Sequence, residues 1–110
     1  MVLLFSYGTL QLADVQLTSF GRLLNGHDDN IPGYRQEMVE ITDPDVIATS
    51  GEQFHPIIMK SDDPSDKIMG KVFEITADEL LAADCYEVAD YKRVELLLES
   101  GKTAWVYIKA

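Results

Sequence analysis

An α+β fold, a mixed sheet curled into a small β-barrel with a few short helices, is predicted by three features of the sequence. β-rich segments outnumber helical ones, the links between them are short enough to favour antiparallel pairing, and a capping box marks one clear helix. With 110 residues, 46% of them hydrophobic, the chain is expected to form one domain over residues 1–110 and to fill its core without metals or disulfides.

The elements follow in order. Val2 to Ser6 is a continuous apolar run that suits a central strand buried on both faces, and Tyr7-Gly8-Thr9-Leu10 reads as a glycine-permitted turn at its end. Asp14 to Leu24 places Val15, Leu17, Phe20, Leu23 and Leu24 at spacings that fit a short helix running into a strand, with Gly21 near the boundary. Asn25-Gly26 and the polar stretch His27 to Asn30 read as a loop, and Ile31-Pro32-Gly33 as a turn. Tyr34 to Ile41 is expected to be a strand closed by Asp43-Pro44-Asp45. Glu52 to Met59 and Ile68 to Ile75 are two further strands, separated by the solvated loop Lys60 to Asp66. Thr76-Ala77-Asp78-Glu79 is the capping box, so a helix should run from Ala77 toward Glu87. Tyr91 to Leu98 and Lys102 to Lys109, joined by Glu99-Ser100-Gly101, have the spacing of a β-hairpin.

The formal charge is −10, with acidic residues spread along the chain, so its surface should repel phosphate backbones and anionic lipid head groups. No nucleic-acid partner and no membrane association are expected, since no apolar run approaches the length of a spanning helix. Cys85 is the only cysteine, and Met1 to Tyr7 lacks a basic leader and a cleavage site, which makes the cytoplasm the expected compartment. The sequence lacks a metal-spaced His/Cys cluster, a Gly-rich phosphate loop and a nucleophile elbow. No metal and no cofactor are expected, and any chemistry falls to carboxylates and backbone. His27 in its polar loop and His55 beside Pro56 read as surface residues. Cys85 reads as a small core residue, because Asp84 and Glu87 would raise a thiol pKa.

Two features could carry chemistry. A glycine just past a buried strand lets successive amides of Tyr7-Gly8-Thr9-Leu10 converge on an anion such as a carboxylate, although such a turn is more often only a turn. If the capped helix continues, Leu80, Asp84 and Glu87 share one face while Leu81, Cys85 and Val88 fill the neighbouring stripe. Glu87 then sits at the negative end of a helix, near Asp84, where its pKa should rise toward the range useful for a general base. On position alone, a solvated helix-end glutamate is the commoner reading.

The ordered set Tyr7-Gly8-Thr9-Leu10, Asp84-Cys85-Tyr86-Glu87 and Tyr91-Lys92-Arg93 resembles the gamma-glutamylcyclotransferase-like family. Gly21-Arg22-Leu23-Leu24, Pro32-Gly33-Tyr34 and Gly70-Lys71-Val72-Phe73-Glu74-Ile75 extend the resemblance over almost the whole chain. Ala83 and Val88 depart from the leucine and glycine that many members carry. The resemblance implies a small mixed barrel, a Tyr7 to Leu10 loop that binds the glutamyl head of a small-molecule gamma-glutamyl substrate, and Glu87 as catalytic proton acceptor. Asp84 and Tyr91 would then be supporting residues. The implied reaction suits the sparse inventory, because the substrate's own α-amine attacks its γ-carbonyl to release 5-oxoproline. A non-catalytic ligand binder of the same fold is the nearest rival. An acidic interaction module using Tyr34, Trp105 and Tyr107 is a weaker one, since these aromatics read better as core or strand packing.

Overall fold

The structure, a computed structural model, describes residues 1–40, 44, 45, 48, 54–86 and 91–110. Its elements are β1 (Val2–Ser6), a 3₁₀ turn (Thr9–Gln11), α1 (Ala13–Phe20), β2 (Gly26–Pro32), β3 (Tyr34–Glu40) and β4 (Phe54–Lys60). These are followed by β5 (Lys67–Ile75), α2 (Ala77–Tyr86), β6 (Tyr91–Leu97) and β7 (Thr103–Lys109).

The apolar run of β1 does what its composition requires. Leu4, Phe5 and Ser6 are buried in succession, so both faces of the strand are covered, and β1 is the middle strand of a five-stranded sheet ordered β2-β5-β1-β7-β6. It pairs antiparallel with β5 and parallel with β7, where Leu4 stands opposite Trp105. Alternation then divides the core. Leu4, Phe73, Ile75 and Tyr107 face one side, where they meet Val15 of α1 and Leu80 and Ala83 of α2. Phe5, Val72, Ala104 and Val106 face the other side and meet Ile58 of β4, which pairs antiparallel with β3 in a separate two-stranded sheet. Helices, sheet and hairpin are the three layers.

The expected barrel is not closed among the described residues, because the strand order leaves β2 and β6 as unpaired edges. Among the described residues, β2 is tied to the turn that follows β6. In the turn after β6, the Glu99 N–H donates to the Asn30 carbonyl (2.8 Å), and the Ser100 hydroxyl donates to Asp29.

A larger correction concerns residues 26–32, which form strand β2 rather than a loop and a turn. All seven residues pair with β5, from Gly26 opposite Phe73 to Pro32 opposite Lys67. The polar composition misleads because β2 is an edge strand that buries only Asp29 and Ile31, so water covers the rest. Gly26 is required there, since a Cβ would lie 2.4 Å from Phe73 Cδ1. Gly33 (φ 77°) makes the expected turn into β3.

α1 stops at Gly21, whose φ of 70° and N–H bond to the Leu17 carbonyl (2.9 Å) form a left-handed cap, so the helix does not reach Leu24. The capping box of α2 is present in both directions: Glu79 N–H donates to Thr76 Oγ1 (3.1 Å) and Thr76 N–H to Glu79 Oε1 (2.9 Å). Glu79 is also gripped by the Arg22 guanidinium, Nε to Oε2 at 2.8 Å and a terminal nitrogen to Oε1 at 2.7 Å, which joins α2 to the end of α1. The buried stripe of α2 is Leu80 and Ala83, whereas Leu81 and Cys85 are exposed, so the expectation of a core cysteine is corrected. The helix meets the sheet one position earlier than the proposed stripe. Ile41, Glu52, His55's side chain and Glu87 lie outside the described residues, and His27 is exposed as expected. Tyr34 and Trp105 pack against the two cores and Tyr107 is buried, in line with a packing role. Among the described residues, no helix is long and apolar enough to cross a membrane.

Candidate active site

β1 carries Tyr7 and Gly8 out of the sheet, and the chain then winds through the 3₁₀ turn into α1. The loop is fastened on its inner side. Leu10 is buried, and its carbonyl accepts a bond from Gln16 Nε2 (2.8 Å), while Gln16 Oε1 accepts the Leu24 N–H (2.9 Å). Gln16 is itself buried, so its amide replaces water for two backbone groups that would otherwise be stranded. Sequence reasoning passed over it. The available signal was a long polar side chain between Val15 and Leu17 on the apolar side of a helix.

Gly8 is a glycine for a reason other than a left-handed backbone. Among the described residues, the glycines with positive φ are Gly21, Gly33 and Gly101, so Gly8 keeps an ordinary backbone. Its reason is proximity: a Cβ at this position would lie 3.2 Å from Pro56 Cγ on β4. The Gly8 N–H reaches Ser6 Oγ at 3.4 Å, and its carbonyl accepts the Gln11 amide at 3.2 Å. Tyr91 meets the same strand, its hydroxyl donating to the Pro56 carbonyl (2.5 Å). Gly8 and Tyr91 therefore converge on one residue of the β3–β4 layer.

The second connection runs from the loop to α2. The Tyr7 hydroxyl donates to the Tyr107 carbonyl (2.5 Å), and the Tyr107 hydroxyl donates to Asp84 Oδ1 (2.7 Å). Arg93 Nε lies 3.2 Å from the same oxygen, and its guanidinium stacks over the Trp105 ring, 4.7 Å from the centroid. Tyr7 is thus linked to Asp84 through Tyr107, while Tyr91 bonds to Pro56 and Gly8 lies close beside that same residue. The Thr9 side chain and Glu87 lie outside the described residues; Glu87 is the residue that follows Tyr86, the last residue of α2, in the sequence.

A separate groove of about 570 Å³ opens between β2 and the β6–β7 turn, lined by Asp28, Asp29, Asn30, Glu99 and Ser100 and reaching Gln11. Tyr7, Gly8, Leu10, Asp84 and Tyr91 are not among the described residues that line it. Burial pushes the Asp29 carboxyl upward, but hydrogen bonds from the Ser100 hydroxyl, the Asn30 and Ser100 amides and the nearby His27 outweigh it and hold the group below its ordinary value. Asp29 is therefore a partnered structural carboxylate. Among the described residues, no group of His, Cys, Asp and Glu is arranged to hold a metal ion.

Comparison with solved structures finds the same fold in two Arabidopsis thaliana proteins, both solved in solution. One aligns at TM-score 0.75 and 23% identity, over 98% of this chain and 68% of its own, and the other at 0.74 and 23%, over 98% and 61%. The chain thus spans about two thirds of the length of these neighbours. A structure described as a gamma-glutamyl cyclotransferase aligns at TM-score 0.75 and 16% identity, over 99% of this chain and 66% of its own. A search of curated proteins finds no significant match. The family model described as gamma-glutamyl cyclotransferase, AIG2-like, matches residues 4–110, nearly every residue that builds the sheet, both helices and the candidate site, and the chain belongs to that family.

Proposed function

We propose that this protein is a gamma-glutamyl cyclotransferase that acts on a small gamma-glutamyl amine or amino acid and releases 5-oxoproline. One observation supports the reading beyond family membership. The hydrogen-bonded path Tyr7–Tyr107–Asp84 connects the Tyr-Gly-Thr-Leu loop to the last turn of the helix that leads, in sequence, into Glu87.

In this reading the backbone amides of Gly8 to Leu10 hold the substrate's α-carboxylate, and the chain folds back on itself. The substrate's α-amine then attacks its own γ-carbonyl carbon. Ring closure forms the new C–N bond, the γ-amide C–N bond breaks, and the proton lost from the amine passes to Glu87 and on to the leaving amine. No external nucleophile is consumed. The enzyme supplies orientation, which captures the effective-molarity advantage of an intramolecular attack, and a base, because the amine is protonated at neutral pH.

The test is a panel of gamma-glutamyl amines, amino acids and peptides with detection of 5-oxoproline, run on the parent chain and on Glu87→Gln. The variant keeps shape but cannot accept the proton, so kcat should fall by about 10²- to 10⁴-fold with binding changed much less. Asp84→Asn should lose less. Parent-level turnover by Glu87→Gln would end its assignment as proton acceptor. Heat of binding without 5-oxoproline would point instead to a ligand-binding member of the family.

A further inference from the structure

We propose that Arg93 and Tyr107 are positioning residues for the reaction, holding Asp84 and through it the last turn of the helix from which the chain runs into Glu87. The proposal rests on the reading of Glu87 as proton acceptor.

The register brings the pair together. Arg93 on β6 stands directly opposite Tyr107 on β7, so both side chains leave the same face of the sheet, toward the helices. Trp105 lies two residues before Tyr107 on that face, where its ring supports the guanidinium. Tyr107 is 6% exposed, and the Arg93 and Asp84 side chains are about a quarter and a third exposed (27% and 34%), so the arrangement is partly shielded from water.

Both groups meet a single oxygen, Asp84 Oδ1, to which the Tyr107 hydroxyl donates at 2.7 Å and with which Arg93 Nε forms an ion pair at 3.2 Å. A carboxylate in the last turn of a helix faces the negative end of the macrodipole, and α2 has no basic residue in its own last turn. Arg93 supplies the missing cation from a neighbouring strand. The opposite end of α2 is fastened independently by Thr76, Glu79 and Arg22. Cutting the Arg93 contact should therefore release the end of the helix nearest Glu87 without releasing the helix. Tyr107 also accepts the Tyr7 hydroxyl on its carbonyl, so one residue registers the substrate loop against the helix end.

The test is steady-state kinetics and thermal melting on Arg93→Gln, Arg93→Lys, Tyr107→Phe, Glu87→Gln and the double variant Arg93→Gln/Glu87→Gln. A misplaced base costs rate more than affinity, so Arg93→Gln and Tyr107→Phe should each lower kcat by about ten- to a hundredfold while KM stays within about twofold. Arg93→Lys should recover most of the loss by keeping a cation beside Asp84. Because the effect passes through Glu87, the double variant should be no slower than Glu87→Gln alone. A raised KM with unchanged kcat, or losses that multiply in the double variant, overturns the proposal. If Arg93→Gln does not fold, Tyr107→Phe with and without Glu87→Gln decides by the same criteria. Parent-level turnover by Glu87→Gln alone is a distinguishable result, which removes the acceptor assignment and the proposal with it.

Discussion

Replacing Glu79 by Gln tests how much of the helix layer depends on one carboxylate. Glu79 accepts two bonds from Arg22, at 2.8 and 2.7 Å, and one from the Thr76 amide at 2.9 Å. Glutamine keeps the shape and one acceptor oxygen but loses the charge and cannot satisfy the guanidinium fork. The Glu79 side chain is 14% exposed, whereas that of Arg22 is 39% exposed, so the range for a hydrogen bond to a charged group has to be discounted for screening. The expected loss is about 1 to 2 kcal/mol at pH 7, which for a domain of this size lowers Tm by roughly 5 to 10 °C. The pH dependence follows from the carboxyl itself. The Arg22 hydrogen bond, against the upward push of burial and with help from the Thr76 amide, holds Glu79 below its ordinary value of 4.5. A depressed carboxylate stabilises the fold above its unfolded pKa and loses that contribution as pH falls through the folded one. Urea unfolding of the parent and Glu79→Gln should therefore show the full gap at pH 7 and a shrinking gap below about pH 4. A gap that persists unchanged at pH 3, or one below about 0.3 kcal/mol at pH 7, would refute the reasoning.

Four more substitutions, at three positions, follow from particular contacts. Gln16→Leu strands the Leu10 carbonyl and the Leu24 amide, and should cost about 1 to 3 kcal/mol in urea unfolding while raising KM; parent-like values of both would show that the loop is held some other way. Gly70→Ala puts a Cβ 2.4 Å from the Ser6 carbonyl oxygen, which cannot retreat without disturbing the β1–β5 pairing, so a loss of about 1 to 3 kcal/mol is expected and an unchanged midpoint counts against it. Gly8→Ala needs only a small shift of Pro56 and should cost under about 1 kcal/mol, whereas Gly8→Val should raise KM more than it lowers Tm. Unchanged KM in a folded Gly8→Val protein would mean that the loop does not hold the substrate.

Most of the architecture was legible because its signals are local. The apolar run of β1, the Thr76/Glu79 box and the turn around Gly101 each depend on neighbours in sequence, and each occupies its expected place. β2 was hidden for the opposite reason. Gly-His-Asp-Asp-Asn-Ile-Pro has no intrinsic strand preference, and it is a strand only because β5 offers it a ladder. The stripe of α2 was displaced because spacing fixes which residues share a face but not which face meets the sheet, and Leu80 with Ala83 won over Leu81 with Cys85. At the candidate site the sequence supplied Tyr7 to Leu10, Asp84, Glu87 and Tyr91 as motif positions. The contacts of Arg93 and Tyr107 depend on strand register, which no local pattern encodes.

The parallel pairing of β1 with β7 bears on the order in which the protein assembles. β1, β5 and β2 all lie within residues 2–75 and can zip together as an antiparallel unit, whereas the sheet is completed only when Trp105 arrives beside Leu4, across about 100 intervening residues. Closing so long a loop is slow. We expect docking of the β6–β7 hairpin to be the late step of folding, with Tyr107 reaching Tyr7 and Asp84 only then. Pulse-labelled hydrogen exchange during refolding should protect the β5 amides before those of β7, and simultaneous protection would exclude this order. Molecules caught before docking would possess most of a core without the Tyr7–Tyr107–Asp84 contacts, so those contacts would mark the final event of folding.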